Sequence, residues 1–281
     1  MKLRINEDSG LIKKGFTLIE LLTVVSVISV LSSLMLTGIF AAKSKTRTVV
    51  CANSLKQLVH SWQMYTDDHA GSLAESFFFR DGRIPGKVNK HAWVLGSMNS
   101  QEGLFPQLNR TVPDAINPNG IRQGTLFPYN RSAGIYRCSA DKSRTQERRR
   151  VRSYTMNGWI GGYPVAGQDH YRIMKKQSDL IHPPPSQLWV MIDEDHDSID
   201  DGWFGVDMIG KVGLIDMPTD RHSNGFNLNF ADGHVERWRL EDERSRNWDT
   251  LPVSNRPTNP DWTRLKTSTT GLKDEYRHQG Y

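Results

Sequence analysis

The chain has 281 residues, a formal net charge of +5 and a hydrophobic share of 37%. That length allows one or two domains, and so mild a basic excess does not imply a nucleic-acid partner. The apolar share is low for a globular protein and much of it sits near the N-terminus, so the remainder is polar and loop-rich.

Residues 1–15 form a polar leader that ends in Lys13-Lys14-Gly15. Phe16-Thr17-Leu18-Ile19-Glu20 follows, and after Glu20 no charge occurs until Lys43. Residues 21–42 would make a helix of roughly 33 Å, enough for a hydrocarbon core of about 30 Å. Lys43, Lys45 and Arg47 close the segment. An isolated carboxylate near the start of a lipid-embedded helix is costly, so Glu20 calls for a partner. A plain signal anchor gives Glu20 no purpose. A cleaved secretory signal fits worse, because the run is too long and no small-x-small site follows it.

Basic residues, Gly15, Phe16-Thr17-Leu18-Ile19-Glu20 and an apolar helix together resemble the processing site of type IV prepilins and type II secretion pseudopilins. The resemblance implies a prepilin peptidase/methyltransferase that cuts after Gly15 and methylates the new N-terminal Phe16. It also implies that Glu20 pairs with the terminal amine of a neighbouring pilin or pseudopilin subunit. Loss of residues 1–15 removes Lys2, Arg4, Lys13 and Lys14 against Glu7 and Asp8, which lowers the net charge from +5 to +3. The short lysine-bearing segment should stay cytoplasmic, giving a single-pass protein of a bacterial inner membrane with its head in the periplasm.

Residues 43–70 read as an amphipathic extension of the helix. Between Lys43 and Asp68 there is neither Pro nor Gly, and Ala52, Leu55, Val59, Trp62 and Met64-Tyr65 recur at intervals of three and four. Arg47, Lys56 and Gln57 fall largely on other faces. A helix over 16–68 would be roughly 80 Å long, with Gly71 as its C-terminal cap and a weak point at Gly38 of about 1 kcal/mol relative to Ala. Its apolar stripe must lie on something, most economically a sheet made by the rest of the chain.

Residues 71–134 are broken by Gly and Pro and read as irregular loop with short apolar pieces, among them Phe77-Phe78-Phe79 and Trp93-Val94-Leu95. Lys142, Arg144, Arg148, Arg149, Arg150 and Arg152 form a basic run. No aromatic interleaves it and Glu147 interrupts it, so a solvated loop accounts for it better than stacking on bases. Residues 153–158 read as a short strand into a turn, and residues 187–193 as a buried strand bounded by turn residues. The carboxylates of residues 193–201 repel each other unless a cation sits among them. Asp193, Asp195 and Asp197 match the first three positions of a calcium loop, but Ser198 and Phe204 stand where an EF-hand needs Gly and Glu. A looser Ca²⁺ loop and an acidic surface loop both remain open, and no other cofactor is expected. Calcium does occur in the type II secretion pseudopilins that the anchor resembles.

Phe226, Leu228 and Phe230 alternate with Asn227, Asn229 and Ala231, the pattern of a half-buried strand. Asp232-Gly233 then predicts a two-residue type I′ hairpin that sets Val235 opposite Phe230. Trp238 falls out of phase, so a bulge or strand end is expected there. His222, nine residues, then Asp232-Gly233 resembles the C-terminal motif of a processing-associated prepilin family. Further pieces match it: residues 51–57 beginning at Cys51, Cys138 with Asp141, Ser153-Tyr154 with Asn157-Gly158, and Asp193-Glu194 with residues 197–199. Ser139 stands where relatives usually carry Pro, and the resemblance carries no catalytic role.

Cys51 and Cys138 have no spacing that forces a pair, so a disulfide and two buried thiols are both left open. His222 and His234 are explained by turn-capping and loop hydrogen bonds more simply than by a metal centre. No hydrolase or phosphate-loop motif occurs, which favours a non-enzyme. Residues 241–281 are polar and Pro-containing, a peripheral extension with Trp248 and Trp262 as its anchors. The expected fold is α+β and pilin-like: a long N-terminal helix packed on an antiparallel sheet within a β-rich head of residues 71–240, with long irregular loops. The expected function is a structural subunit of a type IV pilus or type II secretion-type filament. A membrane-tethered module that binds glycan or DNA is the alternative.

Overall fold

The computed structural model describes residues 15–77, 89–98, 112–162, 167–209, 215–246 and 259–277. Phe78, Phe79 and Trp248 lie outside them. The chain divides into two compact units, residues 1–43 and 44–281.

In the first unit, helix α1 begins at Leu18. Every residue from Gly15 to Leu36 is exposed, and Leu18–Leu36 is long and apolar enough to cross a membrane. Four of the five hydroxyls in that stretch bond to the helix itself. Thr23, Ser26, Ser29 and Ser33 donate to the carbonyls of Glu20, Leu22, Val25 and Val30 at 2.7–2.9 Å, as an apolar solvent requires. Gly38 does not interrupt the helix.

Helix α1 continues into the second unit and ends at Asp68, the predicted end. The left-handed closure begins at Ala70 (φ 51°) and continues through the expected Gly71 (φ 77°). Gly71 N donates to Thr66 O at 2.9 Å, the six-to-one bond of a Schellman cap. Cys51, Leu55, Leu58, Val59, Trp62 and Tyr65 form the buried stripe, while Met64 is exposed. Ser54, Ser61 and Thr66, also on the buried side, return their hydroxyls to carbonyls four residues back.

This stripe lies on a five-stranded sheet built from β3 (Tyr154–Asn157), β4 (Trp189–Asp193), β5 (Trp203–Phe204), β6 (Gly225–Phe230) and β7 (Val235–Arg239) in the order β5-β3-β4-β6-β7. All pairings are antiparallel except β3 with β5. A separate hairpin joins β1 (Arg144–Thr145) to β2 (Arg148–Arg149), so part of the basic run is ordered as strand. Arg152 is fully buried instead of solvated. It donates to Tyr154 O at 3.2 Å and sits 5.9 Å from the Trp93 ring, and burial lowers its pKa to about 10.

Two expectations about β6 need correction. Both of its faces are buried. Phe226, Leu228 and Phe230 enter a second apolar cluster with Trp189, Phe204 and Trp238, whereas the polar face meets α1. There Asn227 Nδ2 donates to Thr48 O at 3.2 Å and Asn229 Nδ2 to Leu55 O at 2.7 Å. Amide side chains can bury a polar face because the helix presents carbonyl oxygens with a spare lone pair. The hairpin loop is also one residue longer than predicted. Phe230 N donates to His234 O and Gly233 N to Phe230 O, both at 2.9 Å, so Val235 pairs with Asn229. Only Gly233 (φ 96°) is left-handed, as in a three-residue loop with a G1 bulge. With that register Trp238 lies opposite Phe226 without a bulge, and the irregularity falls between β4 and β6.

The expected peripheral extension in fact completes the core. Helix α2 (Pro260–Thr267) is capped by Asn259, whose Oδ1 accepts from Asp261 N and Trp262 N. Trp262 and Leu265 then enter the second cluster, on the sheet face opposite α1. The observed fold is α+β, a helix on a mainly antiparallel sheet.

Candidate functional site

The amino-terminal motif is built around Thr17. Its carbonyl accepts the first helical bond from Leu21 N at 3.1 Å. Its backbone N and Oγ1 donate to Glu20 Oε2 at 2.9 and 2.8 Å, and Glu20 N donates back to Thr17 Oγ1 at 3.3 Å. This is a capping box, visible in the sequence as Thr-x-x-Glu although the residue reading passed over it. The carboxylate is thereby stabilised within its own chain and by the positive end of the helix dipole. Both Thr17 bonds fall on Oε2. Gly15 and Phe16 precede the helix as exposed chain without regular structure.

A second site lies inside the globular unit, where segments far apart in sequence converge. Cys51 comes from α1, Cys138 follows a short 3₁₀ turn (Ala133–Tyr136), Asp193 ends β4, and Arg221 and His222 lie just before β6. All are buried or nearly so. His222 Nε2 stands 2.9 Å from Asp193 Oδ2 and 3.3 Å from Cys138 Sγ, and Nδ1 is 3.2 Å from Thr48 Oγ1. Cys51 Sγ accepts from Ser139 N at 3.1 Å, and Cys138 Sγ from Ala140 N at 3.4 Å. Arg221 Nη1 lies 3.4 Å from both Asp193 Oδ1 and Asp141 Oδ2. Its Nη2 donates to Glu194 O and its Nε to Thr219 Oγ1, each at 2.7 Å. Asp141 Oδ1 further accepts from Ser143 N at 2.8 Å.

The charges follow from these contacts. Burial pulls the His222 imidazole down, but hydrogen bonds to Asp193 and Cys51 outweigh it and hold the pKa near 9. Hydrogen bonding from Cys138 pulls the Cys51 thiol below its ordinary value, and burial pushes Cys138 up. Burial also raises the Asp141 carboxyl, yet Arg221 and the surrounding donors leave it below its ordinary value.

The structure divides the sequence candidates. Cys51 and Cys138 come together as two unbonded thiols. Asp193 does not join Asp195 and Asp197, because its carboxylate is committed to Arg221 and His222. Asp195 and Asp197 stay in a turn around His196, at 3.2 and 3.5 Å from its ring. The repulsion expected across residues 193–201 is relieved by Arg221 on one side and Arg152 on the other. His234 caps its turn through Asp232, as expected. His222 does not, since its ring is buried among sulfurs and carboxylates. Sequence reasoning passed over Arg221, Thr48 and the convergence itself. The available signal was that the motif pieces carrying Cys51, Cys138, Asp141, Ser153 and Asp193 all belong to this one place.

An open cleft of about 790 Å³ lies elsewhere on the globular unit. Its lining mixes Glu75, Asp169 and Asp179 with Arg172, Lys175 and Lys273, so it favours no single charge class of ligand.

Residues 12–36 match the family described as the prokaryotic N-terminal methylation motif. No curated protein and no solved structure matches the chain. The motif marks the segment as prepilin-type and indicates a pilin-like or pseudopilin-like protein anchored through its apolar helix. Such a motif implies processing by prepilin peptidase.

Proposed function

We propose that this chain is a structural subunit of a type IV pilus or type II secretion-type filament, and not an enzyme. Prepilin peptidase cuts after Gly15, and Phe16 becomes the methylated N-terminus. Until assembly the protein waits in the bacterial inner membrane with its globular unit in the periplasm. Glu20 supplies the intersubunit contact.

The observation that carries this reading is the state of Glu20 on an otherwise apolar, exposed helix directly after Gly15-Phe16. Thr17 stabilises the carboxylate through Oε2 alone, which permits residence in lipid while Oε1 remains for a neighbour's amine. Deleting one partner of an ion pair in that setting is costly because it strands the other. Cross-linking of membranes from the native host tests it. A ladder of subunits is expected, and Glu20→Ala should abolish the ladder while leaving the monomer membrane-bound. Monomer alone in the wild type refutes the reading.

A further inference from the structure

We propose that Cys51, Cys138 and His222 form a binding site for a thiophilic metal ion, zinc in the first instance, that fastens α1 to the globular unit. The site is distinct from the assembly motif and stands or falls without it.

One ligand atom from each residue lies within 4.8 Å of the other two, and all three residues are buried. Tetrahedral zinc, with bonds of about 2.3 Å to sulfur and 2.0 Å to nitrogen, sets sulfur and nitrogen about 3.6 Å apart. Cys138 Sγ and His222 Nε2 are already 3.3 Å apart, so metal entry needs adjustments of a few tenths of an ångström there. Each sulfur also accepts a backbone N–H, from Ser139 and Ala140 respectively. Donors of that kind stabilise thiolates, which are the ligand form of cysteine.

The outer contacts fit as well. Thr48 Oγ1 holds Nδ1 and turns Nε2 toward the sulfurs, the role an outer partner plays for a ligating histidine. Asp193 Oδ2, 2.9 Å from Nε2, holds the hydrogen bond that metal at Nε2 would replace, and Arg221 balances its charge. Cys138 also borders a surface cleft of about 480 Å³. Two sulfurs and an imidazole select zinc or a similar soft ion over calcium or magnesium. Binding releases the thiol and Nε2 protons to solvent, and nothing is oxidised or reduced.

The test uses the full chain purified in detergent without chelator or reductant, then incubated with equimolar zinc chloride and desalted. Elemental analysis should find about one zinc per chain, falling below a tenth in Cys51→Ser and Cys138→Ser. Because those variants could misfold, two readouts use the wild type. Both thiols should resist alkylation until a chelator is added, and cobalt substituted for zinc should give a thiolate-to-metal charge-transfer band. A Cys51–Cys138 disulfide in the unreduced protein would overturn the proposal. So would absence of zinc after incubation, thiols that alkylate freely without chelator, or a cobalt spectrum lacking the thiolate band.

Discussion

Replacing Arg221 by methionine removes the cation that two buried carboxylates share. Its side chain is 11% exposed, against 4% for Asp141 and 0% for Asp193, and each pair is separated by 3.4 Å. At that separation the gross attraction is about 5 kcal/mol per pair for an effective dielectric constant near 20. Desolvation of the ions cancels much of it. What survives is the cost of stranding a charge, typically 3–5 kcal/mol when one partner of a buried pair is deleted. Asp193 retains His222, so Asp141 carries most of the loss. The expected result for Arg221→Met is a stability loss of about 3–5 kcal/mol, read from urea unfolding of the detergent-solubilised chain by tryptophan fluorescence. Adding Asp141→Asn should recover about 1 kcal/mol or more, because neighbours in one network are not additive. A loss below about 1 kcal/mol, or no recovery in the double variant, would refute the view that Arg221 neutralises this cluster.

Three further outcomes are expected. The pKa of Asp141 is lowered in the folded state, so its contribution is fully present above its ordinary value of 3.8 and is lost as pH falls through the folded value. Acid unfolding followed below about pH 4 should therefore be less steep in Asp141→Asn than in the wild type. Gly233→Ala forces a side chain into φ 96° and sets its Cβ 3.2 Å from Gln63 Nε2; thermal melts should show a loss of about 1–3 kcal/mol. Glu20→Ala should leave the protein in the membrane fraction while abolishing cross-linked oligomers, as comparison of fractionation with cross-linking will show.

Periodicity and turn chemistry made much of the fold legible. The end of α1 at Asp68, the buried strand at 189–193 and the strand before Asp232-Gly233 follow from apolar spacing and from residues that suit turns. The hairpin register did not follow, because Asp-Gly serves both a two-residue turn and a G1-bulge loop, and the choice depends on packing against α1. The polar face of β6 misled for a related reason. Alternating asparagines resemble a solvent face until a helix with available carbonyls lies over them. Arg152 looked like surface charge since nothing local announces a guanidinium that will meet Trp93 and buried backbone oxygens. For the amino-terminal site, Gly15, Phe16 and Glu20 stood out by motif and by one carboxylate in an apolar run. The thiol–imidazole cluster is assembled from Cys51, Cys138, Asp193 and His222, whose meeting depends on tertiary packing and is hinted at in sequence only by the motif pieces that carry them.

Processing at the amino terminus decides the central claim most directly. Mass spectrometry of the protein taken from membranes of its native host should find a chain that begins at Phe16, heavier by one methyl group on its amine. A protein that still begins at Met1 in those membranes would contradict both maturation and the assembly role assigned to Glu20.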